Sequence, residues 1–304
     1  MNNKNSVLAR VLRDRWLYLL LLPGLVYYFV FKLIPMFGII VAFQTYNPYT
    51  GFLASPFVGL KNFRDFFTHR EFALLFTNTL YISFLNILFY FPAPIILSLL
   101  LNEVRHSWYK RSVQTLVYIP HFLSWVIVYS LFYMLLTTDG GIVNLLVEAA
   151  TGNKIRFLED PKWFRPIVII QTIWKETGWG TIIFLAALAG VDMELYEAAI
   201  VDGAGRFRQL WHITLPAIKS TIIILLILRM GSVLNTGFDQ IYLLTNSLNR
   251  SVANVFDVYV YEQGITRGSF SFATAVSLFK SVIGMILVYG TNYIAKKAGE
   301  TGIF

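Results

Sequence analysis

Not one cysteine occurs in the 304 residues. That excludes a disulfide framework, a thiolate zinc site and a cysteine nucleophile. Charge is scarce as well: Asp, Glu, Lys and Arg make up 14% of the chain, against roughly 25% in ordinary soluble domains. The four histidines, His69, His106, His121 and His212, lie far apart without metal-ligand spacing and read as satisfied or solvated side chains. No Gly-x-x-x-x-Gly-Lys-[Ser/Thr] phosphate loop is present, so ATP hydrolysis on this chain is excluded. No Ser/His/Asp order or carboxylate pair stands out as catalytic machinery.

Apolar side chains are what the sequence has in excess. Hydrophobic residues make up 56%, with 26 Phe, 17 Tyr and 7 Trp, and the mean hydropathy is +0.60. One water-soluble core cannot hide that much apolar surface, which rules out disorder and a soluble enzyme as starting points. The formal net charge of +8 fits an anionic membrane surface better than nucleic acid, which would leave the apolar residues without a place.

A helix needs about 20 apolar residues to cross a hydrocarbon layer of roughly 30 Å. Phe72 to Asn102 and Ser112 to Thr138 carry no Asp, Glu, Lys or Arg at all. Trp16 to Phe43 is broken only by Lys32, Pro166 to Val191 only by Lys175 and Glu176, Ser220 to Phe238 only by Arg229, and Gly268 to Ala295 only by Lys280. These windows predict an all-α integral membrane protein with six spans, at about 16–43, 72–101, 112–136, 164–190, 216–238 and 269–295, in a single domain covering 1–304. Lys4, Arg10, Arg13 and Arg15 ahead of the first run could open a cleaved signal peptide. The run continues to Phe43 without a small-residue cleavage pattern, so it reads as a retained membrane helix.

Six spans put both termini on one side. With the N-terminus inside, inner segments hold 12 Lys and Arg against 7 acids, and outer segments 9 against 9. The bias places both termini in the cytoplasm. The outer stretches are then 44–71, 137–165 and 235–267. Within the second, Ile142 to Ala150 is too short to span and reads as an interfacial helix over the outer mouth. The inner run Arg105-His106-Ser-Trp-Tyr-Lys110-Arg111 suits anionic lipid headgroups.

Between the fourth and fifth spans, residues 192–215 read as two short helices about a glycine turn. Asp192 is a candidate N-cap, with Glu194 and Glu197 early in the helix, where its dipole favours negative charge. Gly203 and Gly205 permit the reversal. Phe207, Leu210 and Trp211 recur at spacings of three and four and form an apolar face, and Pro216 fits the first turn of the next span. That face either docks a partner protein or lies in the lipid interface.

Ionisable groups at bilayer depth cost at least about 2.5–3.5 kcal/mol each and default to function or pairing. At about 1.5 Å per residue, Lys175, Glu176, Arg229 and Lys280 fall roughly 15–20 Å into their spans. Three cations with one carboxylate could form a positive ring for an acidic ligand. Alternatively, Glu176 pairs with Arg229 or Lys175 to fix helix packing while Lys280 snorkels or faces a cavity. Sugars are held by aromatic faces with amides and hydroxyls beside them, which Thr172, Trp174, Trp179, Asn235, Thr236, Asp239 and Gln240 supply. Interfacial Trp and interhelical Asn are the competing reading.

Glu197-Ala198-Ala199-x-x-Asp202-Gly203-Ala204, followed by Phe207, Ile213, Leu215 and Pro216, resembles the EAA loop of permease subunits in bacterial ATP-binding-cassette importers. Gly59-Leu60-Lys61-Asn62-Phe63 and Phe238-Asp239-Gln240-Ile241-Tyr242-Leu243-Leu244-Thr245 extend the resemblance over nearly the whole chain, to the carbohydrate-uptake branch and to permeases for complex or uronic-acid oligosaccharides. The chain departs from that branch at Asn246-Ser247-Leu248, where a Gly-Gly-Pro turn is common. The resemblance implies a multi-pass protein of the bacterial plasma membrane that imports oligosaccharide by alternating access, with no cofactor of its own. It implies a second homologous permease, two cytoplasmic ATPases that use ATP and Mg, an extracytoplasmic solute-binding protein and surrounding lipid as partners. It also implies ATPase-docking roles: Glu197 as the charged contact, Gly203 as the hinge, Ala198, Ala199 and Ala204 keeping the interface thin beside Asp202, and Phe207 as the anchor. In the related importers the fourth and fifth spans line the central cavity. The rival readings are an ion-coupled secondary transporter and an importer permease for another small solute such as glycerol phosphate.

Overall fold

The computed structural model describes residues 13–304, so Lys4 and Arg10 lie outside the described residues. Among those described there is no strand; Gln44 and Phe57 form one isolated bridge. Two units emerge from the packing: the described part of Met1–Thr68 with Gln263–Leu278, and His69–Glu262 with Phe279–Phe304. No linker composition in the sequence foreshadows the division.

In the first unit, α1 (Arg15–Phe43, 29 residues) is apolar apart from Arg15 and Lys32. Its α-helical part Arg15–Tyr28 buries nothing, with Leu20 at 77% exposure, as suits a helix whose solvent is hydrocarbon. Asn62 on the short helix Lys61–Phe67 donates to the Ala42 and Gln44 carbonyls at 2.9 and 3.0 Å, closing the chain after α1.

In the second unit, α2 (Phe72–Asn102) runs through a π-turn at Asn86–Tyr90 just ahead of Pro92 and Pro94. The third segment is not one straight helix: α3 (Ser107–Phe122) and α4 (Trp125–Leu136) meet at 102°. Pro120 in the closing 3-10 turn and the extended Leu123 and Ser124 break it, and Ser124 caps α4 by accepting from Ile127 N–H. The interfacial candidate is α5 (Ile142–Thr151), ended by Gly152 in the left-handed region. It turns Val143 and Val147 to the core and leaves Leu146 outward.

α6 (Pro161–Ala189, 29 residues) is long enough to span, but Gln171, Thr172, Lys175, Glu176, Thr177 and Thr181 make its middle polar. Four helices are long and apolar enough to cross a membrane, namely α1, α2, α8 (Arg206–Gly231) and α11 (Phe270–Lys297), or five if the bent α3–α4 pair counts as one. Between α6 and α8 lies α7 (Met193–Val201). α8 is continuous: the second of the two short helices expected within 192–215 and the fifth span are one element joined by a π-turn at Leu210–Thr214. The wide turn lets Leu215 N–H bond the Leu210 carbonyl, which removes the strain that Pro216 would impose on a regular α-helix. At its far end α8 stops at Gly231 rather than at 238. A Cβ on Gly284 of α11 would strike the Gly231 carbonyl, so the two helices cross backbone to backbone there.

Residues 235–267 are not an open loop. They fold into α9 (Phe238–Leu244), a turn at Arg250–Ala253 and α10 (Phe256–Tyr261), with Val255, Phe256 and Tyr259 buried. Asn78 of α2 holds this segment by donating to the Ser251 and Asn254 carbonyls at 2.9 and 3.1 Å. The core packs Ile82 of α2 and Phe164, Ile167 and Val168 of α6 against Ile241, Leu244 and Val258.

Candidate functional site

The segment 192–215 folds for local reasons. Asp192 caps α7, its carboxylate accepting the Glu194 N–H at 2.9 Å. At the other end Ala204 N–H reaches the Ala199 carbonyl at 2.8 Å and Gly203 N–H the Ile200 carbonyl at 3.0 Å. That is a Schellman turn, which needs the left-handed Gly203, φ +74°. Gln209 Nε2 then donates to the Ala204 carbonyl at 2.9 Å, and Tyr196 and Thr214 hydroxyls meet at 3.0 Å, locking α7 to α8.

The outward face of this hairpin is apolar and unpartnered. Val201 is 87% and Phe207 80% exposed, with Ile200 and Trp211 beside them. Glu197, Ala198, Asp202 and Gly203 are exposed, Ala199 and Ala204 half-buried. The Glu197 carboxylate has no hydrogen bond or ion pair among the described residues. Phe207 and Leu210 border a groove of about 360 Å³ against Leu99 and Leu100 of α2, where Arg206 pairs with Glu103 at 3.8 Å.

The mid-helix charges are largely paired. Lys175, buried at 5% exposure, donates to the His121 carbonyl at 2.6 Å, lies 3.4 Å from Glu176 Oε1 and sits 5.3 Å over the Trp125 ring. Glu176 Oε2 accepts from His121 Nδ1 at 2.8 Å. Lys280 pairs with Asp257 of α10, whose second oxygen accepts Thr236 N–H at 2.8 Å and its hydroxyl at 3.3 Å. Of the two readings, the geometry matches the pairing one at Lys175–Glu176, and Lys280 also has a carboxylate beside it. Of the three cations, Arg229 alone has no carboxylate among the described residues, and its guanidinium lies 5.6 Å over the Tyr90 ring. It also stands two residues from the end of α8 rather than mid-span, because the helix ends at Gly231.

The sugar-binding candidates divide. Thr172 and Gln240 are buried in an interhelical bond at 3.2 Å, and Gln240 Nε2 also donates to the Val168 carbonyl at 2.8 Å. Thr236 is buried on Asp257. Trp174, 41% exposed, meets the edge of Phe132, and Trp179, 47% exposed, stacks on His121 with Phe122 at its edge. Asn235 and Asp239 are exposed. Sequence reasoning missed His121 and Asp257 as partners. Pro120 beside His121 in a charge-free window hinted at the first; no local signal marks the second.

The chain matches the family described as "Binding-protein-dependent transport system inner membrane component" over residues 90–298. It is 60% identical to Protein LplB of Bacillus subtilis (strain 168), over 98% of this chain and 94% of that protein. It is 54% identical to the polygalacturonan/rhamnogalacturonan transport system permease protein YteP of the same organism, over 99% and 94%. A chain in the crystal structure of a bacterial alginate ABC transporter, in complex with an alginate pentasaccharide-bound periplasmic protein, superposes with TM-score 0.89 at 37% identity, covering 98% of this chain and 99% of that one. An all-helical chain with a capped, outward-facing hairpin at 192–215 and these relatives along its whole length belongs to the binding-protein-dependent transport system inner membrane components.

Proposed function

We propose that this permease carries acidic, uronate-containing oligosaccharides into the cytoplasm, driven by ATP hydrolysed on separate subunits. The hairpin 192–215 is the docking element for an ATPase, with Glu197 and Phe207 as its contacts and Gly203 fixing their relative placement. A second permease completes the pathway, a solute-binding protein delivers the sugar, and both termini lie in the cytoplasm. Rocking of the helices exposes the path to one side and then the other.

The observation that carries this reading is the capped hairpin with a Glu197 that has no partner among the described residues and an 80% exposed Phe207 in a member of this family. Capped ends and a locked turn present a preformed apolar face, which suits a protein groove. For the substrate, the support is the polygalacturonan/rhamnogalacturonan transport for which YteP is named and the alginate carried in the structural relative, together with Arg229, a cation without a carboxylate among the described residues. Exposed Trp174 and Trp179 supply ring faces for pyranose C–H groups. Lys280, Thr172, Thr236 and Gln240 act as packing groups.

Reconstitution of the full complex in proteoliposomes tests it. Uptake of trigalacturonate should require Mg-ATP and loaded binding protein. Glu197→Ala and Phe207→Ala should each lower stimulated ATP hydrolysis at least tenfold, with assembly of the permease pair intact. Arg229→Gln should lower trigalacturonate uptake and spare a neutral trisaccharide. Uptake driven by an ion gradient without ATP would identify a secondary transporter instead, and competition by glycerol 3-phosphate alone would identify the other solute class.

A further inference from the structure

At the end of α6 opposite Asp192, about 43 Å away along 29 residues, lies a second pocket of about 320 Å³. That volume falls within the roughly 300–1,000 Å³ of small-molecule sites. One wall is Tyr129 and Tyr133, one helical turn apart on α4, with ring centroids at 5.9 Å and planes at 41°. Thr137 and Thr138 follow them, Ser247 faces them from after α9, and Glu159 stands at the rim. Among the described residues, none of these five hydroxyls has a protein partner. The pocket is thus aromatic on one side and rich in free donors and acceptors on the other.

Its walls are held in place. Asn246 accepts from the Leu248 and Asn249 N–H groups at 2.9 and 3.1 Å and donates to the Leu158 carbonyl at 2.8 Å. Asn249 donates to the Leu244 carbonyl at 2.9 Å. Opposite, Asn144 of α5 clamps the Leu136 and Thr137 carbonyls at 3.1 and 3.0 Å. A preformed site binds with little ordering cost. Apart from the two phenols, the single ionisable side chain in the lining is Glu159, 3.9 Å from Arg156, so a carboxylate-bearing ring would meet a like charge.

We propose that this pocket is a binding subsite for a neutral pyranose unit, with the ring on Tyr129 and Tyr133 and its hydroxyls on Thr137, Thr138, Ser247 and Glu159. The proposal rests on the importer reading above, under which this end of α6 faces the incoming sugar. A chain of mixed neutral and acidic units then places a neutral unit here, away from Arg229.

Saturation-transfer NMR on the assembled complex in lipid nanodiscs tests it, with methyl β-D-galactopyranoside and methyl β-D-galactopyranosiduronate as probes. The neutral glycoside should show transfer and the uronate little. Tyr133→Ala and Thr138→Val should cut the signal at least fivefold, and Tyr133→Phe about twofold, with unchanged thermal unfolding. Glu159→Gln should raise uronate transfer at least threefold, which loss of a structural contact alone would not do. Absence of transfer in the wild type, or transfer unaffected by Tyr133→Ala, overturns the proposal. So does weakened association of the binding protein with glycoside transfer intact, since the pocket would then hold a side chain of that protein. Transfer present in a complex that imports no saccharide would sink the importer reading and leave the pocket standing.

Discussion

The His121 ring lies face to face on Trp179, with centroids 4.5 Å apart and planes within 4°. The same imidazole binds Glu176 through Nδ1 at 2.8 Å, and its backbone carbonyl takes Lys175 at 2.6 Å. One residue at the break between α3 and α4 therefore organises the charged middle of α6.

Glu176→Gln should separate packing from ligand binding. It leaves Lys175 without a carboxylate while keeping a hydrogen bond toward His121, so the loss should sit at the low end of the about 3–5 kcal/mol for a broken buried pair. The expected result is a lower unfolding temperature and weaker assembly, with an unchanged ratio of trigalacturonate to neutral trisaccharide uptake. An altered ratio would make Glu176 a ligand contact.

Gly203→Val should uncouple the hairpin without unfolding the bundle. A β-branched residue at φ +74° costs roughly 1–2 kcal/mol, and the Schellman turn opens. Stimulated ATP hydrolysis should fall at least fivefold, whereas Gly205→Ala, at φ −69°, should change it less than twofold.

The Lys280–Asp257 pair has side chains 11% and 15% exposed. Asp257→Asn strands a nearly buried ammonium and should destabilise the protein by about 3 kcal/mol. Replacing both residues, Asp257→Leu with Lys280→Met, should recover most of that loss in thermal unfolding. A double variant as unstable as the single would mean that Asp257 acts chiefly through Thr236.

Asp160 caps α6, accepting the Lys162 N–H at 3.0 Å. That backbone bond first, and the Lys162 side chain second, hold its carboxyl below the usual carboxylate range. The sign follows for a depressed acid: the cap's contribution is complete above the unfolded value of about 3.9 and disappears as pH falls through the folded one. Hydrogen exchange at the first turn of α6, corrected for intrinsic rates, should stay constant from pH 7 to 5. Protection should fall only below about pH 4, and Asp160→Ala should remove that dependence.

The fold was legible where chemistry is local. α2 and α11 lie where charge-poor windows place them, because a run of apolar side chains needs no partner to declare itself. The Asp192 cap and the Gly203 turn act within five residues and are visible for the same reason. What the sequence concealed is long-range. Residues 235–267 look like a polar loop, but several of their polar side chains are spent inside: Asn254 on Glu71 at 3.1 Å, Asp257 on Lys280, Thr236 on Asp257. Counting charges along spans leaves Lys280 without a partner, because its carboxylate, Asp257, comes from a segment without a span's composition. The break at Leu123 was concealed by an unbroken apolar run, in which Pro120 was the sole warning.

The π-turn at Leu210–Thr214 makes a single stiff rod of 26 residues, about 39 Å long, from Phe207's turn to Gly231. On the docking proposal, a displacement imposed at the hairpin end enters one continuous helix. It must arrive whole at Arg229 and at the backbone crossing with Gly284. Under the proposed function, work done by the ATPase would reach the far end of the shaft as a tilt.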